Sequence, residues 1–396
     1  MALHTCASMR IVQVITRMIL GGAQENTLLT CEGMAARGHE VTLITGPPRG
    51  PEGELLSRAR AGGYPVLVAD ALRREINPLL DLRAYGALRK LLGQFRPDVV
   101  HTHSSKAGIL ARRAAWRLRS RGWAPPRMKI VHTIHGLPFH RHNSPPLNWL
   151  YIALERRAAR QTDALISVAN AMTSQALAAG VGSPGQYTTI YSGLRVDDFL
   201  AATDAGQGLR QELGLSDSDV LVTQVSRLAK LKGHEYILAA AKRIADPRVH
   251  FCFVGDGRRR GRIEQDIHAA GLSQRVHLMG LVPPRIIPSI MHASDIVVHC
   301  SLREGLARAL PQAMLAGKPV VSFDVDGAAE VVDADTGLLL EPGDVAGLKI
   351  AIETLAANPE IRRRLGNAGR QRARRMFDHD IMVNKIESLY EGLTKE

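Results

Sequence analysis

The residues of this chain best suited to chemistry lie between Arg227 and Gln312. A strand-like run, VLVTQVS, leads straight into Arg227, Lys230, Lys232 and Gly233. A second run, FCFVG, ends on Gly255 and leads into Asp256 and Gly257. Arg303-Glu304-Gly305-Leu306 then reads as the opening of a helix that carries Gln312. Loops at the carboxyl ends of strands are where open α/β sheets bind ligands. Two cations five residues apart, a glycine that admits close backbone approach and a helix N-terminus suit a diphosphate. A carboxylate repels phosphate, so Glu304 reads as an acceptor for hydroxyl groups. The pattern asks for a ligand with both phosphate and sugar. Either cation alone reads as a solvated basic turn; joined to Glu304 at another strand end, the pair does not.

Such loops need parallel strands to hang from, and the chain supplies two series of them. A length of 396 residues suits two domains, each able to bury its own core, and 45% hydrophobic with 22% charged residues is a soluble globular composition. Ile11 to Thr16, then EVTLITG, VVHTH, IVHTIHG, ALISVA and YTTIYSG alternate with helical stretches over residues 10–193. VLVTQVS, VHFCFVG, VHLMG, DIVVHC and PVVSF do the same over 194–375. Strands separated by helices imply two doubly wound α/β domains. Residues 1–9 carry no pattern and are expected to be disordered. The polar, Gly/Asp-rich stretch Leu194 to Ser218 reads as a linker. An acidic amphipathic helix is expected over 376–396.

In the first series, Gly21-Gly22 forms a strand-to-helix turn fit for phosphate or sugar, followed by a helix from Glu25 to Arg37. Histidines gather at His101, His103, His132, His135, His140 and His142. On a strand, residues three apart face opposite sides, so His132 and His135 are not expected to chelate a metal together. IVHTIHG instead brings His135 to the carboxyl end of its strand, with His103 and Lys106 of HTHSSKAG as further candidates for ligand contact.

The net charge of +13 sits in the first half: 24 Lys and Arg oppose 11 Asp and Glu in residues 1–190, against 27 and 27 thereafter. This asymmetry implies an anionic partner for the first domain. Arg112 to Lys129 holds seven cations, Trp116, Trp123 and no acid, which suits an anionic membrane surface as well as a solvated helix face. No nucleic-acid module is evident. The four cysteines, Cys6, Cys31, Cys252 and Cys300, form no C-x-x-C pair, which points to a reducing, cytoplasmic setting. IVQVITRMIL is interrupted by Gln13 and Arg17 and reads as a strand rather than a signal-peptide core, and no run reaches the ~18 apolar residues of a membrane-spanning helix.

R-L-x3-K-G from Arg227, G-D-G at Gly255, E-G-L-x-R-A-L-x2-A-M-x-A-G-K-P-V-V from Glu304 and the later G-x2-E-V-V together resemble the family 4 retaining glycosyltransferases. The resemblance runs from about Ile11 to the C-terminus. It implies the GT-B fold, two Rossmann-like domains facing a cleft, with the last helix crossing back to the first domain. It implies a nucleotide-diphospho-sugar donor, a UDP-sugar being favoured, and a glycan or lipid-linked acceptor, with no metal or other cofactor required. Arg227 and Lys232 map onto the residues that grip the donor diphosphate, and Glu304 onto the first Glu of the E-x7-E motif. Gln312 stands where the second Glu, which binds ribose, is usual. Gly21, Gly22, Gly255, Asp256, Gly257, Gly305 and Leu306 fall in donor-binding loops, and Leu281 where the nucleobase rests. His135 matches an active-site histidine beside the transferred sugar. Asp324-Val325-Asp326 is similar to the metal-binding D-x-D of another glycosyltransferase fold, but its strand-end context does not fit that role. A nucleotide-sugar epimerase and a non-catalytic nucleotide-sugar-binding protein are the alternatives.

Overall fold

The computed structural model describes residues 8–48, 53–125, 127–200 and 205–395. The chain forms two compact units. One runs up to Gly193 and takes in the segment from His379 onward; the other is Leu194–Asp378.

The first unit is built on β1 (Arg10–Arg17), β2 (Glu40–Gly46), β3 (Val66–Val68), β4 (Val99–His103), β5 (Lys129–Ile134), β6 (Ala164–Ser167) and β7 (Tyr187–Thr189). Its sheet has the order β3-β2-β1-β4-β5-β6-β7, and every pairing is parallel. Both faces are covered by helices, which is why the strands read as near-continuous apolar runs. Ile11 and Ile15 enter a core with Leu28, Leu43 and Tyr390, while Val12 and Val14 enter the opposite one with Leu88, Ala111 and Ile130. The winding reverses between β1 and β4, where Gln13 lies in register with His101. On the other side of β4, Thr102 pairs with His132 and His103 with Thr133.

The helix His379–Lys395 buries Met382, Val383, Ile386 and Tyr390 in the first of these cores. Each such side chain contributes about 1.5–3 kcal/mol, enough in sum to hold the end of the chain in the first unit. Gly193 is required at the return, because a Cβ there would stand 2.5 Å from His379 Cα.

The second unit repeats the plan with β8 (Val220–Val225), β9 (Val249–Val254), β10 (Val276–Gly280), β11 (Ile296–His299), β12 (Val320–Phe323) and β13 (Gly337–Leu340). These strands are parallel in the order β10-β9-β8-β11-β12-β13, so the winding reverses between β8 and β11.

Local expectations need correction in several places. Met9 is buried and its carbonyl accepts from Glu40 N at 2.9 Å, so the chain is ordered there; positions 1–7 lie outside the described residues. The helix expected from Glu25 is Gly22–Ala36, begun by the Glu25 N to Gly21 carbonyl bond of 3.0 Å. The stretch read as linker contains the helices Val196–Leu200 and Ala205–Glu212, because Val196, Phe199 and Leu209 find buried positions. The returning helix starts at His379 rather than Met376, which belongs to the helix Pro359–Met376 of the second unit.

Candidate active site

In the second unit the loop after β8 is clamped by a buried glutamine. Gln224 donates from Nε2 to the Lys232 carbonyl at 2.9 Å and accepts at Oε1 from Cys300 N at 3.1 Å. Gly233 has φ +74°, and a Cβ there would lie 1.9 Å from the Cys300 carbonyl oxygen. That glycine therefore serves loop packing rather than ligand approach. Gly255, at φ +133°, plays the same part: its Cβ would come within 2.1 Å of the Ser226 carbonyl oxygen. Asp256 closes the adjoining turn, Oδ1 accepting from Gly257 N at 2.6 Å.

The loop presents its cations differently. Arg227 is exposed, and no described carboxylate pairs with it. Lys232 Nζ is ion-paired with Glu304 Oε1, which also meets His299 Nε2 at 3.0 Å. Burial works to raise the Glu304 carboxyl, but Lys232 and His299 outweigh it and hold the group well below the usual carboxylate range. Glu304 is therefore an anion with a fixed orientation. Its own N–H donates to Asp326 Oδ2 at 2.6 Å. Leu231 and Asp326 hold positive φ, 66° and 51°, as does Ser104 after β4 at 60°. Strained backbone of this kind gathers at ligand loops.

Arg303-Glu304-Gly305-Leu306 does not open a helix. The helix is Ala309–Leu315, because Pro311 is tolerated only in a first turn and would break a helix begun at Arg303. Gly305 and Leu306 are buried, Gly305 accepting from Gly327 N at 3.3 Å. Gln312 is half-buried inside this short helix, and Leu281, just past β10, is 44% exposed.

In the first unit, Gly21 precedes the helix Gly22–Ala36 and Gly22 is its exposed first residue. His135 follows β5 and is half-exposed, with Nε2 3.0 Å from His103 Nδ1. His103 is fully buried and its Nε2 meets Gln13 Oε1 at 2.8 Å. The expected ligand contact is closed to His103, which reaches a ligand only through His135. Lys106 donates to the Glu75 carbonyl and pairs with Asp81 at 2.7 Å, so its charge is taken up within the unit. His132 is turned to Thr102 Oγ1 at 2.9 Å, and burial, aided by nearby Arg112, pushes its pKa well down.

The segment Arg112 to Lys129 is not a free basic strip. Arg112 is fully buried, pairs with Glu155 at 2.7 Å and donates from Nε to the Gly108 carbonyl at 3.0 Å. Arg119 pairs with Asp163 at 2.5 Å. Two of its seven cations thus meet acids from about forty residues on in the sequence, while Arg113, Arg121 and Arg127 are exposed.

Two family models match the chain: Glycosyl transferase 4-like domain over residues 21–193 and Glycosyl transferases group 1 over 207–372. The chain belongs to the family 4 glycosyltransferases. This glycosyltransferase is 29% identical, over 98% of its length and 97% of the relative's, to the UDP-Gal:alpha-D-GlcNAc-diphosphoundecaprenol alpha-1,3-galactosyltransferase of Escherichia coli. It is 29% identical to the alpha-D-kanosaminyltransferase of Streptomyces kanamyceticus over 84% of its own length and 90% of the relative's. The crystal structure of Anabaena HepE in complex with UDP and glucose superposes with a TM-score of 0.83 at 23% identity, covering 97% of this chain and 99% of that one. The fold of this chain is GT-B, two Rossmann-like α/β domains, and its activity is glycosyl transfer.

Three residues that support these sites escaped sequence reading: Gln13, His299 and Tyr390. The signal for His299 was its place at the end of an apolar run, five residues before Glu304. Tyr390 left no signal, because only the folded unit brings it beside Gln13.

Proposed function

We propose that the enzyme transfers a hexose with retention from a UDP-sugar to a glycan or lipid-linked acceptor in polysaccharide or cell-envelope glycan synthesis. The observation that carries this is the fixed Lys232–Glu304–His299 cluster, with exposed Arg227 on the same loop as Lys232. A diphosphate arriving there meets Arg227 directly and shares Lys232 with Glu304. Glu304, anionic and oriented by His299, accepts from a sugar hydroxyl. Stabilising the leaving diphosphate with fixed cations is an electrostatic task that needs no metal. The UDP named for the E. coli relative and held by the Anabaena protein supports uracil as the base, and the diphosphoundecaprenol of the former supports a lipid-linked acceptor. His135 would face the transferred sugar. Both family models describe transfer, against the epimerase and binding-protein alternatives.

Calorimetric titration with UDP and UDP-sugars tests the reading. Arg227→Ala and Lys232→Ala should each lose about 1.5–3 kcal/mol of UDP affinity and, with the cognate sugar, 10²–10³-fold in kcat, roughly the worth of an electrostatic contact to a developing charge. Unchanged affinity in both variants sinks it. Activity should persist in EDTA; loss restored by manganese would return the metal to Asp324 and Asp326.

Among the described residues no helix is long and apolar enough to cross a membrane. A cytoplasmic enzyme resting on the inner face of the membrane is supported instead by two other helices of the first unit. Pro78–Phe95 exposes Leu79, Leu82, Arg83, Arg89 and Lys90 at helical intervals; Pro145–Ala159 exposes Trp149, Leu150, Arg156 and Arg157. Leu79 is 75% and Trp149 72% exposed. Each stripe is apolar at the N-terminal end and cationic one to three turns on, an order that suits insertion at an anionic headgroup layer. Vesicles with anionic lipid should bind the enzyme and release it as salt rises, and Leu79→Asp with Trp149→Asp should abolish the binding. Equal binding to neutral vesicles counts against it.

A further inference from the structure

Behind His135 the buried side chains of the first unit form an unbroken line. His135 Nε2 meets His103 Nδ1 at 3.0 Å, and His103 Nε2 meets Gln13 Oε1 at 2.8 Å. Gln13 Nε2 donates to the Tyr390 hydroxyl at 3.2 Å. That hydroxyl is hydrogen-bonded to His101 Nδ1, and His101 Nε2 stands 2.7 Å from Thr133 Oγ1. Gln13, His101, His103 and Tyr390 are all 0% exposed. The line draws on β1, β4, β5 and the last helix, so no local stretch of sequence specifies it.

A neutral imidazole has one donor and one acceptor nitrogen. Burial lowers His101 to about 3 and His103 well below its ordinary value, so both rings are neutral at physiological pH. Each ring must therefore pass on the hydrogen-bond direction it receives. The Gln13 amide spends its N–H on Tyr390 and turns its carbonyl to His103, which must then donate from Nε2. His103 Nδ1 is left as an acceptor. The proton between His103 and His135 then belongs to His135 Nε2.

We propose that Tyr390 is a positioning residue that fixes His135 as its Nε2–H tautomer through Gln13 and His103. For catalysis this rests on reading His135 as the sugar-facing residue. The hydroxyl of Tyr390 acts on the sugar only through the two side chains between them.

The test is a tautomer measurement on the full-length enzyme, labelled with ¹⁵N-histidine and recorded by two-bond ¹H–¹⁵N correlation near neutral pH. The wild-type His135 signals should be those of a single Nε2–H form. In Tyr390→Phe, which keeps the buried ring, the Gln13 amide is no longer oriented and His135 should shift toward a mixture of tautomers; Gln13→Met should do the same. With an active UDP-sugar, kcat should fall roughly tenfold while KM for the donor stays constant, since partners that set a histidine's tautomer commonly matter to that extent. A wild-type His135 in the Nδ1–H form overturns the proposal even if neither variant folds. So does an unchanged His135 tautomer in both folded variants. A tautomer shift in an enzyme that transfers no sugar would leave the relay standing and remove the functional reading instead.

Discussion

Gln13 on β1 and Gln224 on β8 occupy the same place in their sheets: each is fully buried, on the strand beside which the winding reverses. Their amides are used in opposite ways. Gln224 joins backbone to backbone, tying the Lys232 loop to Cys300, and the residues it positions are ions on loops. Gln13 joins side chain to side chain, and the residues it positions are neutral rings inside the sheet. One strand edge is a charged site held by its loops; the other is an uncharged site held by its core. The first suits a diphosphate under the function proposed above, because charge-assisted bonds to phosphate are strong even near water.

The largest expected effect concerns the buried charge in the otherwise neutral interior behind the first edge. Arg112→Met strands Glu155 in the core and should cost about 3–5 kcal/mol in urea unfolding, while Arg112→Met with Glu155→Leu should recover most of that loss. Arg121→Met, at an exposed position of the same segment, should stay within about 0.5 kcal/mol. A loss under 1 kcal/mol for Arg112→Met would remove the distinction between a structural arginine and a surface one.

This contrast also explains what the sequence showed. Lys232 and Glu304, which the structure pairs, and exposed Arg227 stand out in the sequence because ionic loops declare themselves by residue type at strand ends, and the alternation of apolar runs with helices declares both sheets. Glu304 was nevertheless placed on a helix that Pro311 forbids before Ala309. His135 was legible from its glycine, but its supports were not. Gln13 looked like an interruption of an apolar run, and Tyr390 lies 377 residues away on a helix whose docking is a matter of packing. The basic segment from Arg112 shows the same limit, since Glu155 and Asp163 pair with two of its seven cations from elsewhere in the unit, while Arg113, Arg121 and Arg127 stay exposed.

Acid should separate the two units. His101, His103 and His132 are neutral when folded and take up protons only on unfolding. Their folded pKa values lie below the unfolded ~6.5, so stability is full above that pH and falls as pH drops below it, by up to about 1.4 kcal/mol per pH unit for each histidine. Glu304 has its folded value depressed, so its contribution is kept until pH falls below the unfolded ~4.3. Burial lowers His234 to about 4 and lowers His250, His277 and His292 as well, so the second unit carries a slope of the same sign, from groups that lie outside β8 and β11. Amide exchange, corrected for intrinsic rate, should show β4 and β5 losing more protection than β8 and β11 between pH 7 and pH 5.5. Equal losses would refute the contrast.

The smallest effect tests how finely the charged edge is tuned. If Gln312 holds ribose, its amide oxygen accepts a hydroxyl proton as a neutral group, and Gln312→Glu would replace it by a stronger charged acceptor. The helix Ala309–Leu315 places residue 312 one turn beyond Arg308, whose carbonyl accepts from Gln312 N at 3.2 Å. A carboxylate at 312 therefore lies within reach of a cation four residues back, which draws off part of its bonding capacity, and the diphosphate repels it besides. The net gain in nucleotide affinity should be no more than ~1 kcal/mol. Gln312→Ala should lose a similar amount without releasing the diphosphate, because Arg227 and Lys232 are untouched. Calorimetry on the three proteins decides between them: if Gln312→Ala binds nucleotide as tightly as the parent, residue 312 does not meet the ribose, and the helix after Glu304 is turned differently toward the donor.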